Sequence, residues 1–122
     1  MSILKTSYYY AVKNKANDYF KVAISRTAPA NEYDLHALSL APDSDTLWAY
    51  KNEYIDDKEY TRQYLEKLNR LLDNGTLQSI IDNLKAHDKV LLLCYEGKNK
   101  FCHRHILADF LNEHFKLGIS EL

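Results

Sequence analysis

The amino-acid sequence predicts an α/β fold in which a small, mostly parallel β-sheet lies between layers of helices. The run KVLLLCY, residues 89–95, is apolar on both faces, which is typical of a central strand covered on both sides. Helical patterns precede and follow this run, and helices that connect strands favour right-handed crossovers over a barrel or a bundle. These observations predict a three-layer sandwich of the Rossmann-like class.

Two earlier segments are predicted to be strands because they are rich in strand-favouring residues. Residues 6–12 are rich in tyrosine and bounded by polar residues, and residues 20–25 read FKVAIS. Residues 35–41 fit either a short strand or irregular structure, and a short helix is expected at 46–51.

Three further helices are predicted from the spacing of apolar residues in the second half of the chain. The first begins at a capping-box pattern of Asp56 and Glu59 and ends at the Asn-Gly pair 74–75. The second begins near Thr76, where apolar residues recur at helical spacing, and the third begins near Cys102.

The composition excludes several classes of function. With 16 basic and 17 acidic residues the chain has a formal net charge of -1, so it has no overall positive field to hold duplex nucleic acid. Its longest apolar run is far too short to span a membrane, and MSILKTSYYY lacks the features of a signal peptide. We therefore expect one cytoplasmic domain over residues 1–122, without a membrane partner, and with its two cysteines as reduced thiols.

The segment 94–104 carries the densest chemistry. Cys102 lies where the dipole of the final helix and two basic neighbours favour a thiolate, which makes it a candidate nucleophile. His103 is expected to face the core, and Arg104 to reinforce an anion site at the helix terminus, unless the two residues only cap and brace the helix. Cys94 fits a small buried core residue. Glu96 fits a proton acceptor, an orienting partner of His103 or an ion-pair partner of Arg104.

A second cluster follows the strand that ends near Ser25. The hydroxyl of Ser25 and the guanidinium of Arg26 suit a phosphate or a carboxylate. If the strands run parallel, Arg26 opens onto the same crevice as the arginine of the final helix, because ligands bind beyond the carboxyl ends of such strands. Lys51, Tyr60 and Tyr64 complete a wall in this hypothesis, although both tyrosines fit the apolar stripe of their helix equally well.

We expect neither a metal nor a cofactor. Cys94, Glu96, Cys102, His103 and His105 include zinc-ligand types, but the two histidines face opposite sides of one helix. The chain has only three glycines and no glycine-rich loop, so neither a Walker loop nor a dinucleotide-binding fingerprint is present.

Several motifs agree in type and order with one known family. LLLCYEGKNKFCHRHILADFL resembles the C-terminal signature of the domain of unknown function 488 family, a CxE followed by CHR on a helix. VAISRTAP resembles its strand-end arginine and proline, and LAPDSDTLWAYKNEYIDDKEYTRQY its middle block, over residues 20–117 in all. The GKNKF loop is a long departure from the pattern. The resemblance implies an α/β domain and names no substrate; its marked positions are Arg26, Cys94, Glu96, Cys102, His103 and Arg104.

Three hypotheses for function stay open. An enzyme that acts on a small anionic, nucleotide-like or phosphorylated substrate would use Cys102 or His103 for the chemistry. A binding module would hold the same kind of ligand without turnover. A protein-interaction domain would use the tyrosines at positions 8–10 as a contact face.

Overall fold

The computed structural model describes residues 2–97 and 100–122, and within them five strands form one parallel sheet. Their order across the sheet is β3-β2-β4-β1-β5, so β4 is central and pairs with β2 on one side and β1 on the other. The predicted α/β fold with a mostly parallel sheet is confirmed. The strands are β1 (Ile3–Tyr8), β2 (Phe20–Ala23), β3 (Leu35–His36), β4 (Lys89–Cys94) and β5 (Ser120–Glu121).

The helices are distributed unequally between the two faces of the sheet. The three longest helices pack on one face and build the larger core, while the other face is covered by one short helix and by loops. The result is a three-layer, Rossmann-like arrangement with one thin layer. No helix in the described part of the chain is long and apolar enough to cross a membrane. The helices are α1 (Tyr9–Val12), α2 (Ser44–Lys51), α3 (Asp57–Asp73), α4 (Thr76–Leu84) and α5 (His103–Phe115), with a 3-10 turn at Leu38–Leu40.

Strand β4 is buried on both faces, as its apolar sequence predicts. Val90, Leu92 and Cys94 belong to the larger core, whereas Leu91 and Leu93 belong to the smaller core on the opposite face. Because side chains alternate along a strand, only a run without polar interruptions can fill both cores. The prediction of a central strand is confirmed.

The long helix α3 begins where the sequence predicts. The side chain of Asp56 accepts a hydrogen bond of 2.9 Å from the backbone amide of Glu59, which caps the first turn. At the other end Gly75 has a φ of 83°, a left-handed conformation that glycine adopts without steric cost, and α4 follows directly. Cys102 is the N-cap of α5, as expected.

The N-terminal prediction is wrong in detail. The first strand covers Ile3–Tyr8 rather than residues 6–12, and Tyr9–Val12 is a helical turn. The tyrosine-rich run therefore divides between two elements: Tyr9 is 4% exposed and Tyr10 is 87% exposed. The hydroxyl of Tyr9 hydrogen-bonds to that of Ser25, which holds the turn against the end of β2. A contact face made of three adjacent tyrosines is not formed.

Arg104 fastens the start of α5 to the sheet edge. Its guanidinium is fully buried and forms an ion pair of 2.8 Å with Glu121 in β5. It also donates to the Cys94 sulfur at 3.0 Å, and to the backbone oxygens of Glu96 at 2.6 Å and Gly97 at 3.2 Å. With its Nε bonded to Glu121 as well, all five guanidinium donors are occupied.

Replacing Arg104 with alanine is expected to lower the free energy of unfolding by about 1.5–3 kcal/mol, because it removes the charge-assisted hydrogen bonds to Glu121 and leaves its half-buried carboxylate without a cation. The control is Arg62→Ala, which removes exposed ion pairs with Glu59 and Glu66 and should cost far less, because ion pairs in water contribute little to stability. Urea unfolding followed by circular dichroism compares the two. Equal losses in both variants would contradict the bracing role.

Candidate functional site

A cavity of about 410 Å³ lies beyond the carboxyl ends of β2 and β4, next to the start of α5. This is the edge where parallel sheets commonly bind ligands. The two strands are neighbours in the sheet, so their terminal loops share the cavity. Among the described residues, its lining comprises 25–27, 94–96 and 100–103, together with Pro42, Leu47, Tyr50, Lys51 and Tyr60.

The N-terminus of α5 supplies one wall of the cavity. Cys102 is in an extended conformation, its side chain makes no capping hydrogen bond, and the first turn contains no acidic residue. The backbone N–H groups of a helix's first turn lack intrahelical acceptors and carry a partial positive charge. This terminus therefore offers donors to an anion.

His103 is held in one orientation and one tautomer. Its ring is 6% exposed, and Nε2 lies 2.7 Å from the backbone oxygen of Ile24 at the end of β2. A carbonyl only accepts, so Nε2 carries the proton and Nδ1 has a free lone pair. Burial, aided by the charges of Arg104 and Lys67, lowers the pKa of His103 to about 4, so the ring is neutral at pH 7.

Cys94 and Cys102 are joined sulfur to sulfur in the structure, with both residues buried in the larger core. Two separate reduced thiols were expected from the sequence, whereas the structure brings the two sulfurs together. The Cα atoms of the two residues are 7.7 Å apart, beyond the roughly 4.4–6.8 Å that most disulfides span, so a disulfide with ordinary geometry requires the backbone to move closer at this point. The Cys102 sulfur also lies 3.8 Å from Nδ1 of His103.

Two residues predicted to bind a ligand lie elsewhere. Arg104 does not line the cavity, and its five donors already have protein partners, so the expectation that it shares an anion with Arg26 is wrong. These contacts fit the alternative prediction, that Arg104 braces the start of the helix. Tyr64 is 1% exposed and donates its hydroxyl to the backbone oxygen of Leu40, which places it in the core.

The predicted basic residues at the rim are available to a ligand. Arg26 is half-buried, Lys51 is exposed, and both line the cavity. Within residues 2–97 and 100–122, neither side chain has a hydrogen-bond or ion-pair partner. Lys100 lines the same cavity, so three cationic side chains surround it. Lys98 and Asn99 of the GKNKF loop lie outside the described residues.

Glu96 and Ser25 both line the cavity; two of the three roles predicted for Glu96 are not formed, while its role as a proton acceptor stays a prediction. The carboxylate of Glu96 neither orients His103, which Ile24 holds, nor pairs with Arg104, which bonds only to the Glu96 backbone. Glu96 is exposed at the cavity. The hydroxyl of Ser25 donates to the backbone oxygen of Thr27 and accepts from Tyr9, so it shapes the loop after β2 and has no proton left to donate.

An aromatic wall faces the cationic rim. The rings of Tyr50, Tyr60 and Phe101 pack against one another with centroids 5.0–5.4 Å apart. The hydroxyl of Tyr50 donates to Asp57, but that of Tyr60, which is 3% exposed, has no partner in the described part of the chain. Burial raises the pKa of Tyr60 above its ordinary value, so its hydroxyl keeps a proton to donate into the cavity.

Tyr50 and Phe101 in this wall were not predicted from the sequence. Tyr50 lies in a short helix with weak amphipathic character, and Phe101 lies in the loop before α5, so no periodic pattern marks either residue. Glu121 was not predicted either, because a two-residue strand has no pattern to recognise. As for metals, no group of three potential ligand side chains is assembled among the described residues.

The low pKa of His103 predicts that acid destabilises the fold between pH 6.5 and pH 4. Over this range His103 takes up a proton in the unfolded chain but not in the folded one. The free energy of unfolding therefore falls as the pH falls, by on the order of 3 kcal/mol at pH 4. Glu121, whose pKa is lowered chiefly by Arg104 against burial, adds a loss only below its ordinary value of 4.5. Chemical unfolding measured at several pH values tests this.

The matched variants are His103→Gln and His114→Gln, which remove a buried and an exposed histidine respectively. The first should flatten the pH dependence above pH 4.5, while the second should leave it as in the wild type. If the free energy of unfolding of the wild type does not change with pH, or changes equally in both variants, His103 is not buried as a neutral ring.

Comparison with known proteins gives one match. The family model DUF488-N3a, described as the active DUF488-N3 subclade, matches residues 4–115, which is most of the chain. No curated protein and no solved structure shows a significant match. The family resemblance inferred from the sequence is confirmed, and the chain belongs to the DUF488 family.

Proposed function

We propose that this chain binds a small anionic, nucleotide-like ligand in the cavity and acts on it with the thiol of Cys102. The observation that carries the proposal is the position of Cys102 and His103. Both lie at the start of α5 and line the cavity that Arg26 and Lys51 also line. A nucleophile, a base and cationic groups thus converge on one space.

The anionic part of the ligand is argued from two independent features. The uncapped start of α5 offers backbone donors, and unpaired Arg26 offers a planar pair of N–H groups suited to phosphate or carboxylate. The hydroxyl of Tyr60, a residue that lines the cavity, is a further donor without a protein partner among the described residues, so it is available to a ligand acceptor.

The nucleotide-like part is argued from the aromatic wall. Tyr50, Tyr60 and Phe101 present ring edges and faces to one side of a cavity of about 410 Å³, a size typical of small-molecule sites. A flat base or a similar ring would pack against this wall. The exposed carboxylate of Glu96 would accept from an amino or hydroxyl group of the ligand.

The chemistry follows from the neutral state of His103. With Nε2–H bonded to Ile24, Nδ1 is free to accept a hydrogen bond from the Cys102 thiol, whose sulfur is 3.8 Å away, and the start of α5 favours the loss of the thiol proton. The resulting thiolate attacks an electrophilic atom of the bound ligand and displaces the group bonded to it, which leaves with the electron pair of the broken bond; water then cleaves the adduct, which releases the product and restores the thiol. Only the reduced form is competent, because a sulfur joined to Cys94 cannot attack. The description of the matching subclade as active supports turnover.

A binding module without turnover is the second candidate. The joined state of Cys94 and Cys102 favours it, because that state keeps the cationic rim and the aromatic wall but has no free thiol. The two candidates share the ligand and differ only in the need for Cys102.

Arg26→Ala should weaken ligand binding roughly tenfold to a hundredfold, the loss of a charge-assisted contact of about 1.5–3 kcal/mol. Tyr60→Phe keeps the ring, removes the hydroxyl and should weaken binding by about 0.5–1.5 kcal/mol. Isothermal titration with phosphate, sulfate and nucleoside monophosphates measures both, with Arg62→Ala as an exposed control away from the cavity. Binding that is unchanged in Arg26→Ala and Tyr60→Phe would overturn the assignment of this cavity.

Cys102→Ser separates the enzyme from the binding module. Under reducing conditions, the enzyme proposal expects the ligand to bind with near wild-type affinity while its conversion stops, because serine keeps the shape but lacks an acidic thiol. Product formation is followed by mass spectrometry on any ligand that binds. If Cys102→Ser converts the ligand at the wild-type rate, Cys102 is not the nucleophile.

A further inference from the structure

We propose that Cys94 and Cys102 form a redox-active dithiol that exchanges with small-molecule disulfides through the cavity. The exchange is a second chemistry of the same site and needs no anionic ligand. It shares the Cys102 thiol with the proposed function, but it can fail while an anionic ligand still binds and is converted, and it can succeed when no such ligand binds.

The two sulfurs meet at the base of the cavity. Cys94 is the last residue of β4 and Cys102 is the residue before α5, so their contact joins the end of the central strand to the start of the helix. Both residues line the cavity although each is at most 4% exposed. A reagent that enters the cavity therefore meets thiols that are shielded from bulk solvent, and Cys102 is the more exposed of the two.

The neighbours of the two sulfurs differ, and they assign different roles. Nη1 of Arg104 lies 3.0 Å from the Cys94 sulfur, and a buried guanidinium that stays charged favours a thiolate there. The Cys102 sulfur lies at the start of α5, whose partial positive charge favours a thiolate, and Nδ1 of His103 is 3.8 Å away. Cys102, the more exposed of the two cysteines and next to the cationic rim, is the attacking thiol. Cys94, held by Arg104, is the resolving thiol.

The exchange balances in two steps. The Cys102 thiolate attacks one sulfur of a disulfide RSSR, which forms a mixed disulfide Cys102–S–SR and releases one thiolate RS⁻. The Cys94 thiolate then attacks the Cys102 sulfur, which forms the Cys94–Cys102 bond and releases the second RS⁻. Two electrons pass from the dithiol to RSSR, and the protons of the two cysteines end on the two released thiols.

A purely structural crosslink is the alternative, and the surrounding contacts make it redundant. Arg104, two residues after Cys102 in the chain, already binds the Cys94 sulfur and the backbone of Glu96 and Gly97. Hydrogen bonds from Arg104 thus hold the first residues of the loop between the two cysteines, and they do so without a bond between the sulfurs. A crosslink adds little restraint there, whereas its position at an open cavity suits exchange.

The test uses reduced, desalted full-length protein exposed to oxidised glutathione and then quenched with acid. Intact mass spectrometry should show the wild type lose two hydrogens and retain no glutathione. Cys94→Ser should accumulate one stable glutathione adduct, since the resolving thiol is absent. Cys102→Ser, which keeps the shielded Cys94, should react at least about tenfold more slowly than Cys94→Ser, in line with its lower access. In urea the two variants should react at similar rates, because the difference comes from the fold.

Two results would overturn the proposal. One is a wild type that keeps both thiols, or keeps a stable glutathione adduct, at a glutathione excess that modifies the unfolded chain. The other is faster adduct formation at Cys94 than at Cys102 in the folded protein. If either variant fails to fold, peptide mapping of the transient wild-type adduct replaces the comparison of variants: an adduct on Cys102 supports the proposal, and an adduct on Cys94 overturns it.

Discussion

The buried ion pair between Arg104 and Glu121 is the constraint on which the rest of the site depends. A fully buried guanidinium is tolerated only when its donors are satisfied, and here β4, the loop after it and β5 satisfy all five. Glu121 is in turn bonded to Thr6 of β1, so the pair connects α5 to three strands. The start of α5 is therefore fixed at the carboxyl edge of the sheet.

His103 completes this attachment on the opposite side. While Arg104 binds the β4 and β5 side, the preceding residue binds the backbone of Ile24 at the end of β2. The side chains of His103 and Arg104 thus bind the ends of the neighbouring strands β2 and β4 respectively. Because Cys102 directly precedes them, it is held next to these two strand ends. This geometry divides the site into two sets of residues. Those that position Cys102 are buried and already hydrogen-bonded within the protein. Those that would contact a ligand, Arg26 and Lys51, have side chains without partners among the described residues.

The sequence predicted those parts of the fold that leave a periodic or continuous pattern. An apolar run of six residues identified β4, and helical spacing with a capping residue identified α3. The role of Arg104 was not predictable in the same way, because its partner Glu121 lies 17 residues away in a two-residue strand. A guanidinium looks the same in sequence whether it binds a ligand or a carboxylate, and only the tertiary fold decides between them. The joined cysteines were missed for a related reason, since a sequence separation of eight does not reveal that strand end and helix start meet.

The protonation state of His103 is the property to measure, because both the attachment of α5 to the end of β2 and the hydrogen bond available to Cys102 depend on it. Nitrogen-15 NMR of the imidazole distinguishes the two neutral tautomers from the charged ring. The account predicts a neutral ring at pH 7 with the proton on Nε2, bonded to Ile24, and a bare Nδ1 facing the Cys102 sulfur. A charged ring at pH 7, or a proton on Nδ1, would contradict it.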